Sequence, residues 1–249
     1  MERTNRSGAD SEAFPPLISP VRLREADDAL ACAVREAASA GAGTLYHVGR
    51  FDTVEFALVL EPEEPLAGAR RVVFAGMNAL AETIAADCPP ERTIHFGFPG
   101  ILRFDDGLVG GVRLAWPEGA AEAEVPDWLV LSAMIRLGGV QDLDFRLDPD
   151  ATSLEEGGFT GVDPAGFAAR FCRHFMVEID EWQNESFKGV AARYLARLPK
   201  GADEGLRGID GNGDLLIHPK AGGGAERVAL LPPLVAAAWF DPATGAPRA

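Results

Sequence analysis

The sequence predicts an α+β fold, in which a mixed, largely antiparallel sheet carries helices on one face and is followed by a small β-barrel-like module. Three observations support this. Apolar, β-branched segments alternate with tight turns, as is typical of antiparallel strands. Other segments place apolar residues at helical spacing. Beyond residue 198, the apolar segments shorten and glycines become frequent, which is typical of a small all-β unit.

These patterns divide the chain into three parts. Residues 1–13 are polar without apolar periodicity and are predicted to be a disordered tail. Residues 14–198 are predicted to form the main domain, and residues 199–249 the small β module. The predicted elements are, in order, a helix over 26–40, strands over 44–48 and 53–60, a helix over 70–87, strands over 93–98, 100–104, 108–116 and 128–137, a helix opening at 163, a helix over 187–198, and short strands over 206–210, 214–218 and 226–230.

The helix ends are indicated by particular residues. The first helix stops at the Gly41-Ala42-Gly43 stretch, and the second stops before Pro89-Pro90, because proline removes a backbone donor. The third opens with Asp163 as N-cap, followed by proline at the first helical position. Its apolar stripe, which ends at Trp182, predicts packing on the sheet.

The strands are indicated by β-branched and aromatic residues between short turns. Segments 44–48 and 53–60 predict a hairpin across a tight connection. The Asp105-Asp106-Gly107 sequence predicts a second hairpin turn. Sequential hairpins make the predicted sheet mostly antiparallel.

The composition excludes several classes of function. The chain has 23 basic and 38 acidic side chains, a formal net charge of −15, which argues against a basic nucleic-acid footprint. No apolar run approaches the roughly 18 to 20 residues that a membrane span needs, and residues 1–12 lack a signal-peptide core. We therefore expect a cytoplasmic protein with neither nucleic-acid nor membrane partners. Cys32, Cys88 and Cys172 are widely spaced and are predicted to be reduced, buried thiols.

No metal site is expected. The stretch from Asp210 to Asp214 resembles the opening of a calcium loop, but Leu215 and Ala221 occupy the positions that need glycine and glutamate. An Asn-Gly hairpin turn is predicted there instead. The histidines lack the short spacing of a zinc site. His47 and His95 could converge if their strands were neighbours, although histidines at core or edge positions are commoner.

The segment from Phe98 to Ala115 has the most informative pattern. Gly110 and Gly111 interrupt an apolar strand, where glycine costs stability. Something is therefore expected to approach this backbone closely: a packing neighbour, a bulge or a ligand.

This segment resembles the catalytic domain of the biotin/lipoate A/B protein ligase family. Phe98-Pro99 stands where the family has Trp-Pro, and Val109-Gly110-Gly111-Val112 stands where it has a glycine-containing strand. The resemblance extends to four further segments, 25–30, 152–156, 187–198 and 206–210. It implies a sheet like that of class II aminoacyl-tRNA synthetases and biotin ligases.

The resemblance also implies the residues of a ligand site. In the family, the backbone of the glycine strand meets the head group of biotin or the lipoyl chain. The ligand-binding residues that it implies here are Arg50, Phe98, Gly110, Gly111 and Val112. It implies no catalytic residue that the chain retains.

The chain departs from the family where the chemistry takes place. Leu108 stands where the ligases have a lysine that contacts the activated carboxyl group and phosphate, and Gly100-Ile101 replaces an Asn-Asp pair. The adenylate loop is shortened to residues 48–52, which leaves Arg50, and the first lysine of the chain is Lys188. Loss of one preorganised donor to a charged transition state costs about 3–4 kcal/mol, or roughly 100- to 1000-fold in rate.

Two functions remain open on these residues. The first is a degenerate ligase-like protein that binds a small acyl or vitamin-type acid, or a protein partner, without adenylating it and without a required cofactor. The alternative is an active ATP-dependent biotin or lipoate/octanoate ligase or acyltransferase in which Arg103 or Arg113 replaces the lysine. Cys172, on an apolar helix stripe, is predicted to be structural and not an acyl acceptor. An acyl-carrier-type partner would itself be acidic, and two acidic surfaces repel unless arginines form a local basic patch.

Overall fold

The computed structural model describes residues 13–138 and 150–248. Of the predicted tail, residues 1–12 lie outside this part of the chain. Within the described ranges, no helix combines the length and the apolar character needed to cross a membrane.

The core of the fold is a seven-stranded sheet with the order β1-β2-β3-β7-β6-β5-β4. Among the strands that the structure describes in this sheet, only the β1–β2 pair is parallel. A mixed, largely antiparallel sheet with packed helices is therefore confirmed. The seven strands are β1 (Ser19–Leu23), β2 (Thr44–Gly49), β3 (Thr53–Leu60), β4 (Ile94–Gly97), β5 (Ile101–Phe104), β6 (Gly107–Ala115) and β7 (Leu129–Arg136).

The other described elements are helices and two small sheets. The helices are α1 (Ala29–Ala40), α2 (Leu66–Ala69), α3 (Val72–Ala85), α4 (Pro164–Asn184), α5 (Phe187–Arg197) and α6 (Leu231–Val235). The small sheets comprise β8 (Glu204–Ile209), β9 (Leu215–Pro219) and β10 (Glu226–Val228), then β11 (Phe240–Asp241) and β12 (Ala246–Pro247). The three-stranded sheet confirms the predicted small C-terminal β module.

Helices cover both faces of the large sheet, so the expectation that they lie on one face is wrong. Val54, Phe56 and Leu58 of β3 belong to the core under α3 and α4. The alternating residues Ala57 and Val59 belong to a second core under α1. Because successive strand side chains point to opposite faces, a strand that is apolar at consecutive positions must be covered twice. We call these two sides the α3 face and the α1 face.

Aspartate side chains cap the starts of two helices: Asp163, as predicted, and Asp28, which the sequence patterns did not identify. Asp28 accepts a hydrogen bond from the Ala31 amide at 2.8 Å, so that α1 begins at Ala29 and not at residue 26. Asp163 accepts one from the Gly166 amide at 2.8 Å, with Pro164 in the first turn of α4. Both carboxylates satisfy amides that no helical carbonyl can reach.

The sequence patterns miss the two ends of the described chain. Strand β1 is almost fully exposed and therefore lacks the apolar alternation that identifies a strand. Residues 231–248, which we call the C-terminal segment, form α6 and the β11–β12 hairpin. Elements this short carry little local signal, and tertiary contacts hold this segment in place.

Candidate functional site

The glycine pair of β6 is closely approached by its neighbours, as expected. Gly110 has φ 153°, and a Cβ there would collide with the carbonyl oxygen of Met134 on β7. At Gly111 a Cβ would collide with the carbonyl oxygen of Gly100 and lie 2.7 Å from the indole of Trp239. The β5–β6 register also shifts between Leu102 and Arg103. A packing neighbour and a strand irregularity therefore both account for the glycines.

Trp239 fills the space beside the glycine strand. It is only 2% exposed, and its Nε1–H donates to the Val112 carbonyl oxygen at 3.3 Å. The cavity left between Trp239, Phe98 and the start of β5 is about 20 Å³, enough for about one water molecule.

Two of the sequence-predicted ligand residues contribute their side chains to the core of the α3 face. Val112 is buried there. Phe98, which precedes a cis proline, stacks on Phe74 with ring centroids 6.0 Å apart. Of the predicted set, these two residues and the glycine pair therefore lie together, around the start of β5 and the middle of β6.

Arg50 lies apart from that group, in the β2–β3 turn. Its guanidinium donates to the carbonyl oxygens of Glu25 and Asp27, at 2.8 and 2.9 Å. It also forms an ion pair with Glu55 at 2.5 Å. Glu55 in turn accepts a hydrogen bond from the Ala29 amide at 2.7 Å. Arg50 and Glu55 thus join the turn and β3 to the start of α1.

Glu55 is a charged residue in an enclosed place, since its side chain is 1% exposed. Burial raises its pKa above the ordinary glutamate value, against the opposing effects of the Ala29 amide and Arg50. The carboxylate needs both partners because an unpaired buried charge is costly.

Arg113 extends this polar group along the α1 face. It pairs with Ser132 across β6 and β7, while Gly111 pairs with Met134, which in turn pairs with Glu55. Residues two apart in a strand point to the same face, so Arg113 faces the same side as Gly111. Because paired residues also share a face, Ser132, Met134 and Glu55 lie on that side as well.

The Arg113 guanidinium is covered by the C-terminal segment. Its Cζ lies 3.7 Å from the centre of the Phe240 ring, an attractive cation–π arrangement. Among residues 13–138 and 150–248, its buried Nε and Nη2 atoms have no hydrogen-bond partner, and neither does Ser132 Oγ. Burial lowers the pKa of Arg113, while Asp28 and Glu55 oppose that effect.

No strand or helix is predicted from the sequence at the Trp239-Phe240 pair, and no pattern identifies Ser132. Two adjacent aromatic residues after the last predicted strand were the available signal for a packed segment. Ser132 carries no such signal, because its importance comes from Arg113 across the sheet.

The remaining arginine that could replace the lysine, Arg103, lies on β5, beside the residue that stands at the lysine's place. Leu108 is opposite Arg103, and its backbone bridges to Ala151. Arg103 donates to the Asp106 carbonyl oxygen at 2.6 Å. Leu108 itself is half-buried, and a leucine side chain has no hydrogen-bond donor.

The two histidines do not converge. His47 lies on β2 and His95 on β4, and four strands separate β2 from β4 in the sheet. The possibility that they meet is therefore wrong, because chain order did not reveal strand order. His47 is buried, and desolvation lowers its pKa.

The turn from Asp210 to Asp214 is closed by an arginine. Asp210 Oδ1 accepts hydrogen bonds from the amides of Asn212 and Asp214, and Arg227 forms ion pairs with both carboxylates. Across residues 13–138 and 150–248, no cluster of three or more potential metal ligands occurs.

Cys172 and Cys32 are buried and Cys88 is half-buried, all as free thiols. Burial raises the pKa of Cys172 to about 12. Cys172 and Cys32 are buried as expected, and Cys88 is less enclosed than expected.

Known structures share this architecture. A biotin protein ligase-like protein of unknown function from Silicibacter sp. TM1040 has a TM-score of 0.75 and 23% identity, with 88% of this chain and 96% of that chain covered. The apo biotin protein ligase of Aquifex aeolicus has a TM-score of 0.66 and 16% identity, with 85% and 95% covered. Its complex with biotin and ATP has a TM-score of 0.59 and 17% identity, with 84% and 95% covered.

No curated protein sequence matches the chain. At these identities, the structural similarity establishes the fold. Residues 14–196 match the sequence profile of the Biotin/lipoate A/B protein ligase family, which is most of the chain. The chain therefore belongs to the biotin/lipoate A/B protein ligase family.

Proposed function

We propose that this chain is a biotin/lipoate ligase-like protein that no longer adenylates an acid. It retains the fold as a binding protein for a small acyl or vitamin-type acid, or for a protein partner. The observation that carries the proposal is that Leu108 supplies no cation and no lysine lies between residues 1 and 187.

The arginines that could replace the lysine are engaged elsewhere. Arg50 donates to Glu55 and to two carbonyl oxygens. Arg103 donates to the carbonyl of its own turn, and Arg113 lies under Phe240. An acyl-adenylate forms through a transition state rich in negative charge, which needs donors already aimed at that charge. Arg50 and Arg103 would first have to leave these contacts, and Arg113 would have to lose its cover by the Phe240 ring.

The space beside Gly111 supports the same proposal. By resemblance to the family, the ligand head group would meet the backbone of this strand, and Trp239 lies there instead. A ligand of biotin's size would have to displace the indole. Since the proposed function includes no adenylation, it requires no ATP and no cofactor.

The test is an acyl-transfer assay. The purified chain would be incubated with ATP, an acceptor domain, and labelled biotin, lipoate or octanoate in turn, beside the Aquifex aeolicus biotin protein ligase as a positive control. We expect no labelled acceptor from this chain. Turnover by the unmodified chain would overturn the proposal in favour of an active ligase, and loss of that turnover in a folded Arg50→Ala variant would show that the ligase uses arginine.

Calorimetric titration separates the two remaining roles. Heat of binding with one of the acids alone would identify a small-molecule binding protein. Binding to an acyl-carrier-type domain without any acid would identify a protein-binding role.

A further inference from the structure

A groove separates helix α5 from strand β8 of the small C-terminal β module. Its volume is about 630 Å³, which is within the usual range for a ligand pocket. One wall is α5, which contributes Leu195 and the small residues Ala191 and Ala192. The opposite wall is formed by residues 207–211 of β8 and the turn after it. Among the described residues that line the groove, none lies on the glycine strand β6.

The wall formed by β8 is the edge of a strand and not its face. Side chains at successive strand positions point to opposite faces, so a face would contribute only alternate residues. Here five consecutive residues line the groove, and two of them, Gly208 and Gly211, have only backbone atoms. Strand β8 is also the outermost described strand of its sheet, whose order is β10-β9-β8. The groove therefore exposes the backbone of an edge strand.

The backbone of this edge carries hydrogen-bonding groups that the fold does not use. The Asp210 amide donates to the Asp214 carbonyl oxygen, on the β9 side, at 3.0 Å. Bonded and unbonded positions alternate along an antiparallel strand, so the amides of Ile209 and Arg207 point away from β9. Within the described ranges, neither of these two amides has a hydrogen-bond partner. Free edge groups of this kind are a template for another strand.

Edge strands are usually protected against pairing, and β8 is not. A proline, a bulge or a very short strand hinders the addition of another chain. At the edge of the large sheet, β1 contains Pro20, and at the other edge of the small sheet, β10 has only three residues. Strand β8 has six residues, and its register shift lies before Arg207, outside the stretch that lines the groove. Its edge is therefore open to an extended peptide.

The groove is positively charged, although the chain has a net charge of −15. Its described lining includes Arg71, Lys188 and Arg207, against one acidic residue, Asp210. Asp210 is already paired with Arg227 at 3.0 Å. Arg71 pairs with a glutamate outside the groove, whereas no carboxylate of the described residues pairs with Lys188. A peptide that carries carboxylates complements this distribution of charge.

We propose that this groove binds an extended acidic peptide, which adds to β8 as a further strand. Backbone hydrogen bonds to Ile209 and Arg207 supply affinity, and contacts of alternate side chains supply specificity. The peptide's carboxylates lie beside Lys188 and Arg207, and its apolar side chains contact the α5 wall. The site is on the β module, so the inference goes beyond the proposed function and holds whether or not the chain adenylates an acid.

The probe is a synthetic peptide in which apolar and acidic residues alternate, acetyl-Ile-Glu-Val-Glu-Leu-Glu-amide, titrated by calorimetry into the full chain. We expect it to bind. Replacing every glutamate of the peptide by glutamine should weaken binding about tenfold, because charge-assisted contacts to Lys188 and Arg207 are lost. Methylating the backbone nitrogens of its two central residues keeps every side chain but removes a donor on each side of the strand. This peptide should not bind detectably.

Substitutions in the groove provide matched variants of the chain. Ala192 is exposed and lines the groove, so Ala192→Phe should crowd it and weaken binding about tenfold or more. Ala38→Phe places the same ring at an exposed position of α1 and should leave the affinity unchanged. Lys188→Glu should weaken binding about fivefold or more, because a surface attraction becomes a repulsion.

Hydrogen exchange followed by NMR uses the unmodified chain and reports the binding mode directly. The peptide should protect the amides of Arg207 and Ile209, while the amide of Gly208, which faces β9, should change little. No binding of the acidic peptide, or equal binding of the glutamine or N-methylated peptide, would overturn the inference. Unchanged affinity in Ala192→Phe or Lys188→Glu, or binding without protection of Ile209, would also overturn it. ATP-dependent activation of an acid would overturn the proposed function alone and leave these results standing.

Discussion

The indole of Trp239 lies on the backbone of Gly111, more than a hundred residues earlier in the chain, and donates a hydrogen bond to the adjacent Val112 carbonyl. Gly111 allows this contact because it has no side chain. Trp239 in turn brings Phe240 over Arg113. One contact thus links the glycine strand, the polar group of the α1 face and the C-terminal segment.

Gly111→Ala should destabilise the chain. Its methyl group would collide with the Gly100 carbonyl oxygen and with Trp239, and overpacking of this kind costs about 1–3 kcal/mol. Urea denaturation would measure the free energy of unfolding. Gly208→Ala is the matched control, because a Cβ there meets nothing within 4 Å. Equal stability of the two variants would contradict the packing role of Gly111.

Arg50→Ala should also destabilise the chain, whatever its effect on activity. It would leave Glu55, at 1% exposure, buried without its ion partner, and breaking a buried pair costs about 3–5 kcal/mol. Arg35→Ala removes an arginine whose pair is exposed and should change the free energy of unfolding by less than about 1 kcal/mol. If both variants unfold at the same urea concentration, Arg50 does not hold the turn to α1.

The free energy of unfolding should depend on pH because of Glu55. Because burial raises its pKa in the folded state, the folded chain binds this proton more tightly than the unfolded chain. The stabilising contribution of this proton to the free energy of unfolding is fully present below the ordinary glutamate pKa of 4.5. It is lost as pH rises through the folded-state pKa.

Urea denaturation across this pH range would compare the unmodified chain with Glu55→Gln. The stability advantage of the unmodified chain over the variant should fall as pH rises. An advantage that grows with pH would show that the ion pair with Arg50 outweighs burial.

The thiols should differ in reactivity. Only a thiolate reacts with iodoacetamide, and burial raises the pKa of Cys172 to about 12. Cys88 is half-buried, so it should be alkylated first in the folded chain, while Cys172 should be labelled only after unfolding. Mass spectrometry of the labelled peptides would measure this. Rapid labelling of native Cys172 would contradict its assignment as structural.

Much of the fold could be predicted from local patterns. Asp163-Pro164 located the start of α4, and the β-branched and aromatic residues of segment 53–60 located β3. The exposed strand β1 could not be found, because its residues carry no apolar alternation. The sequence could not predict that α1 packs on the face of the sheet opposite α3 and α4 either. An apolar strand does not reveal which helix covers which of its two faces.

In the candidate site, too, local features could be predicted and contacts between distant residues could not. Gly110 and Gly111 predicted a close approach because glycine inside a strand has a local cost. That Trp239 makes the approach depends on a contact between distant parts of the chain. That Phe240 covers the Arg113 guanidinium likewise depends on such a contact, and only the three-dimensional arrangement shows this.

Acid-dependent exchange of labelled pyrophosphate into ATP tests the central claim most directly, because it detects adenylation without any acceptor domain. The unmodified chain would be measured with biotin, lipoate and octanoate, with the Aquifex aeolicus ligase and biotin as the positive control. The account predicts no exchange above the level without acid. Exchange that depends on one of these acids would contradict it.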